Sequence, residues 1–187
     1  MTDLKELLRI NMERFGRHVD GISEEQWSGP TPCTEWDVRM LLNHLVYESM
    51  WMPPLLEGQT IAEVGNRLDG DLLGDDPRSA WDTAAKEAST AVEAVDLLTS
   101  VHVSYGDISA ESYIFDVMTD LAIHGWDLAR ATGADETLDP ETVEVLFAYF
   151  KPKEKELKAS GAFGPMVEPP PGADKQTELL ALFGRQA

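Results

Sequence analysis

The chain has 187 residues, with 15 Lys and Arg against 34 Asp and Glu, for a formal net charge of −19. A field of that sign repels nucleic acid and anionic membrane surfaces, so neither is an expected partner. Its one cysteine, Cys33, excludes an internal disulfide and fits a reducing compartment.

The opening segment carries Asp3, Lys5, Glu6, Arg9, Glu13 and Arg14, which leaves no apolar signal-peptide region. No run approaches the roughly 18 apolar residues of a membrane helix, so a soluble cytoplasmic protein is expected. A first helix is predicted from about Asp3 to Asp20. Leu4, Leu7, Leu8, Phe15 and Val19 form its apolar stripe, Gly21 ends it, and His18 faces its C-terminal end. Ser23 to Cys33, with Gly29, Pro30 and Pro32, reads as a loop in which Trp27 plugs the core. Thr34 followed by Asp37 has the pattern of a capping box, opening a second helix that runs to about Trp51 and stops before Pro53 and Pro54. This helix is apolar nearly all round, which predicts burial on most sides. His44 lies in it beside Leu41 and Leu45, with Glu48 one turn further along the same face. Burying two ionisable groups there is costly unless they have partners.

Residues 57 to 78 hold five of the glycines and prolines that break the chain (Gly58, Gly65, Gly70, Gly74 and Pro77), with room for one turn of helix at Thr60 to Val64. Connections of this length in a compact domain are often functional. A third helix is predicted from Pro77 to Leu98, with Trp81, Ala84, Ala88 and Val92 on its inner side. Val101 to Gly106 alternates and is expected to be extended, with His102 a weak ligand candidate. The fourth helix, Ser109 to Ala131, ends at Gly133. A fifth starts at Asp139-Pro140, meets Pro152 and carries a small basic patch of Lys151, Lys153, Lys155 and Lys158. A short last helix spans Asp174 to Phe183.

The fourth helix carries the most informative spacing. Asp120 and His124 are four residues apart, so they share one helix face and can bite one divalent cation. A zinc-type site needs at least one more protein ligand, and His44 on a facing helix is the obvious donor. The alternative is a solvated polar stripe made by Asp116, Asp120, His124 and Asp127.

Two motifs tie the chain to a known group. Thr31-Pro32-Cys33-Thr34-Glu35-Trp36-Asp37-Val38-Arg39, running into Asn43-His44-Leu45, resembles the start of the mycothiol-dependent maleylpyruvate isomerase metal-binding domain, of the DinB/YfiT-like superfamily. Asp120-x-x-x-His124-Gly-Trp-Asp-Leu-Ala-Arg-Ala-Thr-Gly133 resembles the second metal motif of that family, and the stretch from Phe163 to Arg185 is similar to a compact actinobacterial branch of it. The resemblance implies an all-α protein, an antiparallel four-helix bundle with short additional C-terminal helices. It is read as one domain over residues 1–187, with a core at about 3–133 and an extension at 134–187. It also implies His44, Asp120 and His124 as ligands, with water or a substrate sulfur completing the shell. The isomerase often has glutamate in place of Asp120 and carries a larger C-terminal domain.

These expectations converge on a metal-dependent transferase or isomerase that joins a low-molecular-weight thiol such as mycothiol to an electrophile. Zinc is the first choice of metal, and nickel or another divalent ion the second. Asp127, one turn beyond His124, can accept the second ring N–H and fix the tautomer, or can be a surface or capping acid. Glu48 is the weak candidate for a catalytic base. Trp126 is expected in the core, and Cys33 is expected to serve packing. The competing readings are a non-catalytic metal-binding or stress-response module and a metal-dependent hydrolase, with the protein a monomer or homodimer in each case.

Overall fold

The computed structural model describes residues 3–155, 157 and 165–187. Lys158 of the basic patch and Phe163 at the start of the C-terminal resemblance lie outside the described residues. The chain divides into two compact units, Met1–Asp135 and Glu136–Ala187.

The first unit is built on four long helices: α1 (Leu4–Asp20), α2 (Val38–Leu56), α4 (Pro77–Ala94) and α5 (Ala110–Thr132). The short α3 (Ile61–Val64) lies between α2 and α4. Helices α1 and α2 each pack on both α4 and α5, the arrangement of a four-helix bundle. The apolar stripes form its core: Leu7, Leu8, Phe15 and Val19 of α1, Leu41, Leu42 and Leu45 of α2, Trp81 and Ala88 of α4, and Val117, Leu121 and Leu128 of α5 are all buried, with Ile114 of α5 beside them. Between α4 and α5 runs an antiparallel hairpin, β1 (Ser100–Val103) with β2 (Gly106–Ser109), in the register Val101 opposite Ile108. The extended stretch around Val101 is thus one arm of that hairpin. Asp3 caps α1 by accepting from the Lys5 amide at 3.0 Å, and Gly133 ends α5 in the left-handed conformation (φ 72°, ψ 26°) that glycine adopts without strain.

Four expectations are corrected. The cap of α2 is Asp37, which accepts from the Met40 amide at 2.8 Å, and not Thr34. Residues 30–37 fold back on themselves: the Trp36 N–H donates to the Cys33 carbonyl at 2.8 Å, and the Thr31 hydroxyl donates to the Trp36 carbonyl at 2.8 Å. That tight loop delays the helix by one turn. At its other end α2 runs through Pro53 and Pro54 to Leu56. Two interior prolines cost about 6 kcal/mol. Met52, Leu55 and Leu56 are buried, and at about 1.5–3 kcal/mol for each buried apolar side chain their burial is of the size needed to offset that cost. Helix α4 stops at Ala94 instead of Leu98, because the Asp96 carboxylate accepts from the Leu98 amide at 2.9 Å in a local turn and leaves Leu98 exposed. Trp27 is half-buried, with the Arg78 guanidinium 5.8 Å from its ring centre, so it covers the core without filling it.

The long connection after α2 is tightly held. Thr60 and Glu63 form a reciprocal capping box around α3. Val64, Leu68 and Leu73 are buried anchors, while Asn43 of α2 donates to the Gly70 carbonyl at 3.1 Å and accepts from the Leu72 amide at 2.8 Å.

In the second unit, α6 (Pro140–Phe150) is capped by Asp139, which accepts from the Thr142 amide at 2.8 Å, and has proline at its start. A 3₁₀ turn (Lys151–Lys153) follows at Pro152, and α7 spans Lys175–Leu182. Gln176 ties α7 to the segment before α6, accepting from the Leu138 amide at 2.8 Å and donating to the Glu136 carbonyl at 3.0 Å. Among the described residues no helix is long and apolar enough to cross a membrane.

Gly125 sits in the middle of α5, where glycine costs roughly 1 kcal/mol relative to alanine. A Cβ there meets Phe15 Cδ2 at 3.8 Å, an ordinary contact. Gly125→Ala is therefore expected to stabilise the protein by about 0.5–1 kcal/mol in urea unfolding. A loss of stability would show that the α1–α5 packing is tighter than described.

Candidate metal centre

His44 projects from α2, and Asp120 and His124 from one face of α5. His44 Nε2 lies 3.0 Å from Asp120 Oδ2, and His124 Nε2 lies 4.0 Å from Asp120 Oδ1. One ligand atom from each of the three falls within 4.8 Å of the others. Three ligands about 2.0–2.1 Å from a tetrahedral zinc stand about 3.3 Å apart, so these side chains need only small adjustments to hold one. The two imidazoles meet nearly edge to face, with ring centres 5.3 Å apart at 80°.

The orientation of His124 is set from behind. Its Nδ1 lies 2.9 Å from Asp127 Oδ2, and Asp127 has no solvent exposure at all. A buried carboxylate on Nδ1 places the ring proton there and leaves the Nε2 lone pair facing Asp120. The solvated-stripe reading does not survive this burial, since His124 is itself only 8% exposed. Asp116, by contrast, is exposed, and accepts from the Tyr105 hydroxyl at 2.7 Å.

The charges around the site are mutually strained. Desolvation raises the Asp116 carboxyl above its ordinary value. The Tyr105 hydrogen bond opposes the rise and the Asp120 charge adds to it. Glu48 is likewise raised, first by burial and then by Asp120, against the opposing effect of His44. Burial works against protonated His44, but the hydrogen bond to Asp120 and the charges of Asp120 and Glu48 outweigh it and raise its pKa. Clustered carboxylates of this kind are what a cation relieves.

For Glu48 the raised value means that the folded state resists its ionisation. As pH rises the unfolded chain loses that proton first, so stability falls through the window between the ordinary and the raised value and stays lower above it. Glu48→Gln in metal-free protein is expected to raise stability at pH 7, with the gain fading below about pH 4. Urea unfolding at the two pH values checks this. A gain as large in acid as at neutrality would contradict it.

The other histidines stand apart. His102 Nδ1 is 2.8 Å from Asp107 Oδ1 across the hairpin, a local pair. His18 is half-buried near the end of α1, where burial, then Arg14 and Arg17, lower its pKa and keep it neutral. Two residues of the site escape sequence reasoning. The sequence gives Cys33 only a packing role, yet its Sγ is 3.4 Å from Asp127 Oδ2 and 3.7 Å from His124 Nδ1. Trp36 packs against both His44 and His124, with ring centres at 4.7 and 5.5 Å. The signal for both is the proline-flanked loop immediately ahead of the helix that carries His44.

Comparison with known proteins gives a consistent picture. The model of the mycothiol maleylpyruvate isomerase N-terminal domain family matches residues 8–129. Two uncharacterized proteins of Mycobacterium tuberculosis, from the H37Rv and CDC 1551 strains, are each 28% identical over 134 residues, covering 69% of this chain and 67% of theirs. The crystal structure of the mycothiol-dependent maleylpyruvate isomerase superposes with a TM-score of 0.65 at 16% identity, covering 86% of this chain and 73% of that one. A histidine-to-alanine mutant of that enzyme gives the same TM-score at 15% identity. At these identities the superposition establishes a shared fold.

Proposed function

The chain belongs to the mycothiol maleylpyruvate isomerase N-terminal domain family, and from that premise we propose that it is a divalent-metal protein acting with a low-molecular-weight thiol, as a transferase or isomerase. His44 and His124 would hold the ion through Nε2, and Asp120 through a carboxylate oxygen. Zinc is the metal best suited to this mixed nitrogen and oxygen set, and mycothiol is the thiol that the family name suggests. The observation that carries the reading is the buried Asp127–His124 pair, which aims one histidine lone pair at the carboxylate facing a second histidine. A polar stripe on a helix surface has no reason to bury an acid completely behind one of its members.

A divalent zinc bound with an open position lowers the pKa of a coordinated thiol and supplies a thiolate near neutral pH. The protein's own groups serve that chemistry in separate ways. Two neutral imidazoles and one carboxylate leave the site positive toward an incoming thiolate. Trp36 shields the two histidine rings on one side, which limits their rotation. Glu48, whose carboxyl burial raises above its ordinary value, would be the group that takes up the thiol proton, at a carboxylate oxygen.

The test is metal content. Purified protein is expected to carry about one zinc per chain. His44→Ala, which removes one of three ligands but leaves α5 intact, should carry a small fraction of that. Equal zinc in the two proteins would overturn the reading.

A further inference from the structure

A cavity of about 660 Å³ opens beside His44, between the first turns of α2 and the 68–71 stretch of the long connection. The guanidinium there is already held by the chain itself, and the helix N-terminus beside it is closed. Arg39 is the cation in the lining, and its Nη2 is bound to Asp71 Oδ2 at 2.8 Å and to the Gly74 carbonyl at 2.9 Å. Asp69 also lines the cavity, so one cation faces two carboxylates. The other common anion site is a helix N-terminus. Here the first amides of α2 are satisfied: Val38 by the Gly29 carbonyl at 3.0 Å, Arg39 by the Trp27 carbonyl at 3.0 Å, and Met40 by Asp37 Oδ1 at 2.8 Å. Both ends of the Asn43 amide are spent holding the connection. The lining also offers a ligand the indole of Trp36, the exposed thioether of Met40, the Tyr47 ring and Leu68.

We propose that this cavity binds the second substrate of the site, and that this substrate is an uncharged, largely apolar molecule rather than a dicarboxylate of the maleylpyruvate type. The inference deepens the thiol-enzyme reading and rests on it for the word substrate, but the cavity's ligand preference does not depend on a metal. A dianion entering here loses hydration and meets two carboxylates, one of which already holds the guanidinium, whereas a neutral ring exchanges water for aromatic and thioether surface. One wall, Leu68 to Asp71, comes from the long connection, so both carboxylates that set the preference belong to this chain's own loop.

A matched pair of probes tests it: phthalate, a dianion, and dimethyl phthalate, its neutral diester, neither of which reacts with thiols. Each is titrated into the protein as purified and after chelation, while the Trp36 indole and Met40 methyl resonances are followed by NMR. The diester is expected to shift both resonances saturably and to bind roughly tenfold or more tightly than phthalate in the chelated protein. Asp69→Asn combined with Asp71→Asn should raise phthalate affinity and leave the diester unchanged. The Asp71→Asn change keeps an Oδ1 acceptor for the Leu73 amide, which lies 3.0 Å from it, so the loop has no reason to open. Phthalate binding as tightly as the diester to the wild type, or a diester that moves neither resonance, would overturn the proposal. Zinc content is read on the same samples, so a failed cavity and a failed metal site give different results.

Discussion

Asp120→Asn is expected to lower zinc affinity by roughly 100-fold or more, since loss of a mere supporting partner already costs about 10- to 100-fold at such sites. The substitution keeps the size of the side chain and removes the one negative charge among the three ligands. The fold should be nearly unaffected, because Asp120 is partly open to solvent and an asparagine can still hydrogen-bond His44 Nε2 from the same 3.0 Å position. Asp120→Glu keeps the charge and lengthens the arm by one methylene, so zinc binding should survive at least in part. Competition with a chromophoric chelator measures both. Wild-type affinity in Asp120→Asn would mean that the carboxylate only orients His44 and does not take a metal.

Trp126→Ala is expected to have the largest effect on stability. The indole is 1% exposed in the middle of α5, with the Arg130 guanidinium 4.6 Å from its ring centre. Truncating a buried tryptophan costs about 3–5 kcal/mol. For a chain of this size that lowers Tm by about 10 °C. The side chain is not among the ligands, so zinc content below the transition should stay near that of the wild type. Thermal unfolding with metal analysis separates the two effects. A drop in zinc at a temperature where the variant is folded would tie Trp126 to the site as well as the core.

Much of the bundle was legible because its cues are local. Leu7, Leu8, Phe15 and Val19 repeat at helical spacing, Asp139-Pro140 starts a helix, and Gly133 ends one in the conformation that only glycine tolerates cheaply. Asp120 and His124 share a face by spacing alone, and His44 followed from its apolar helix and from the family motif. What was not legible depended on contacts between distant parts of the chain. The Asp37 cap exists because residues 30–37 close on themselves, and helix α2 crosses two prolines because its last turn is buried. Cys33 reaches Asp127, 94 residues away, only once α2 and α5 are packed. Asp71 of the long connection holds Arg39, 32 residues away, and helps shape the cavity beside His44, a pairing that no local spacing announces.

The central claim is that His44, Asp120 and His124 hold a divalent ion that a small thiol approaches directly. Cobalt substitution tests it in one spectrum, because a thiolate bound to Co²⁺ gives a sulfur-to-metal charge-transfer band that nitrogen and oxygen ligands do not. Titrating mycothiol into the cobalt protein should produce that band saturably. Asp120→Asn, which is expected to hold cobalt poorly, should not give it under the same conditions. Cobalt bound by the wild type with no such band for mycothiol or any other small thiol would contradict the account.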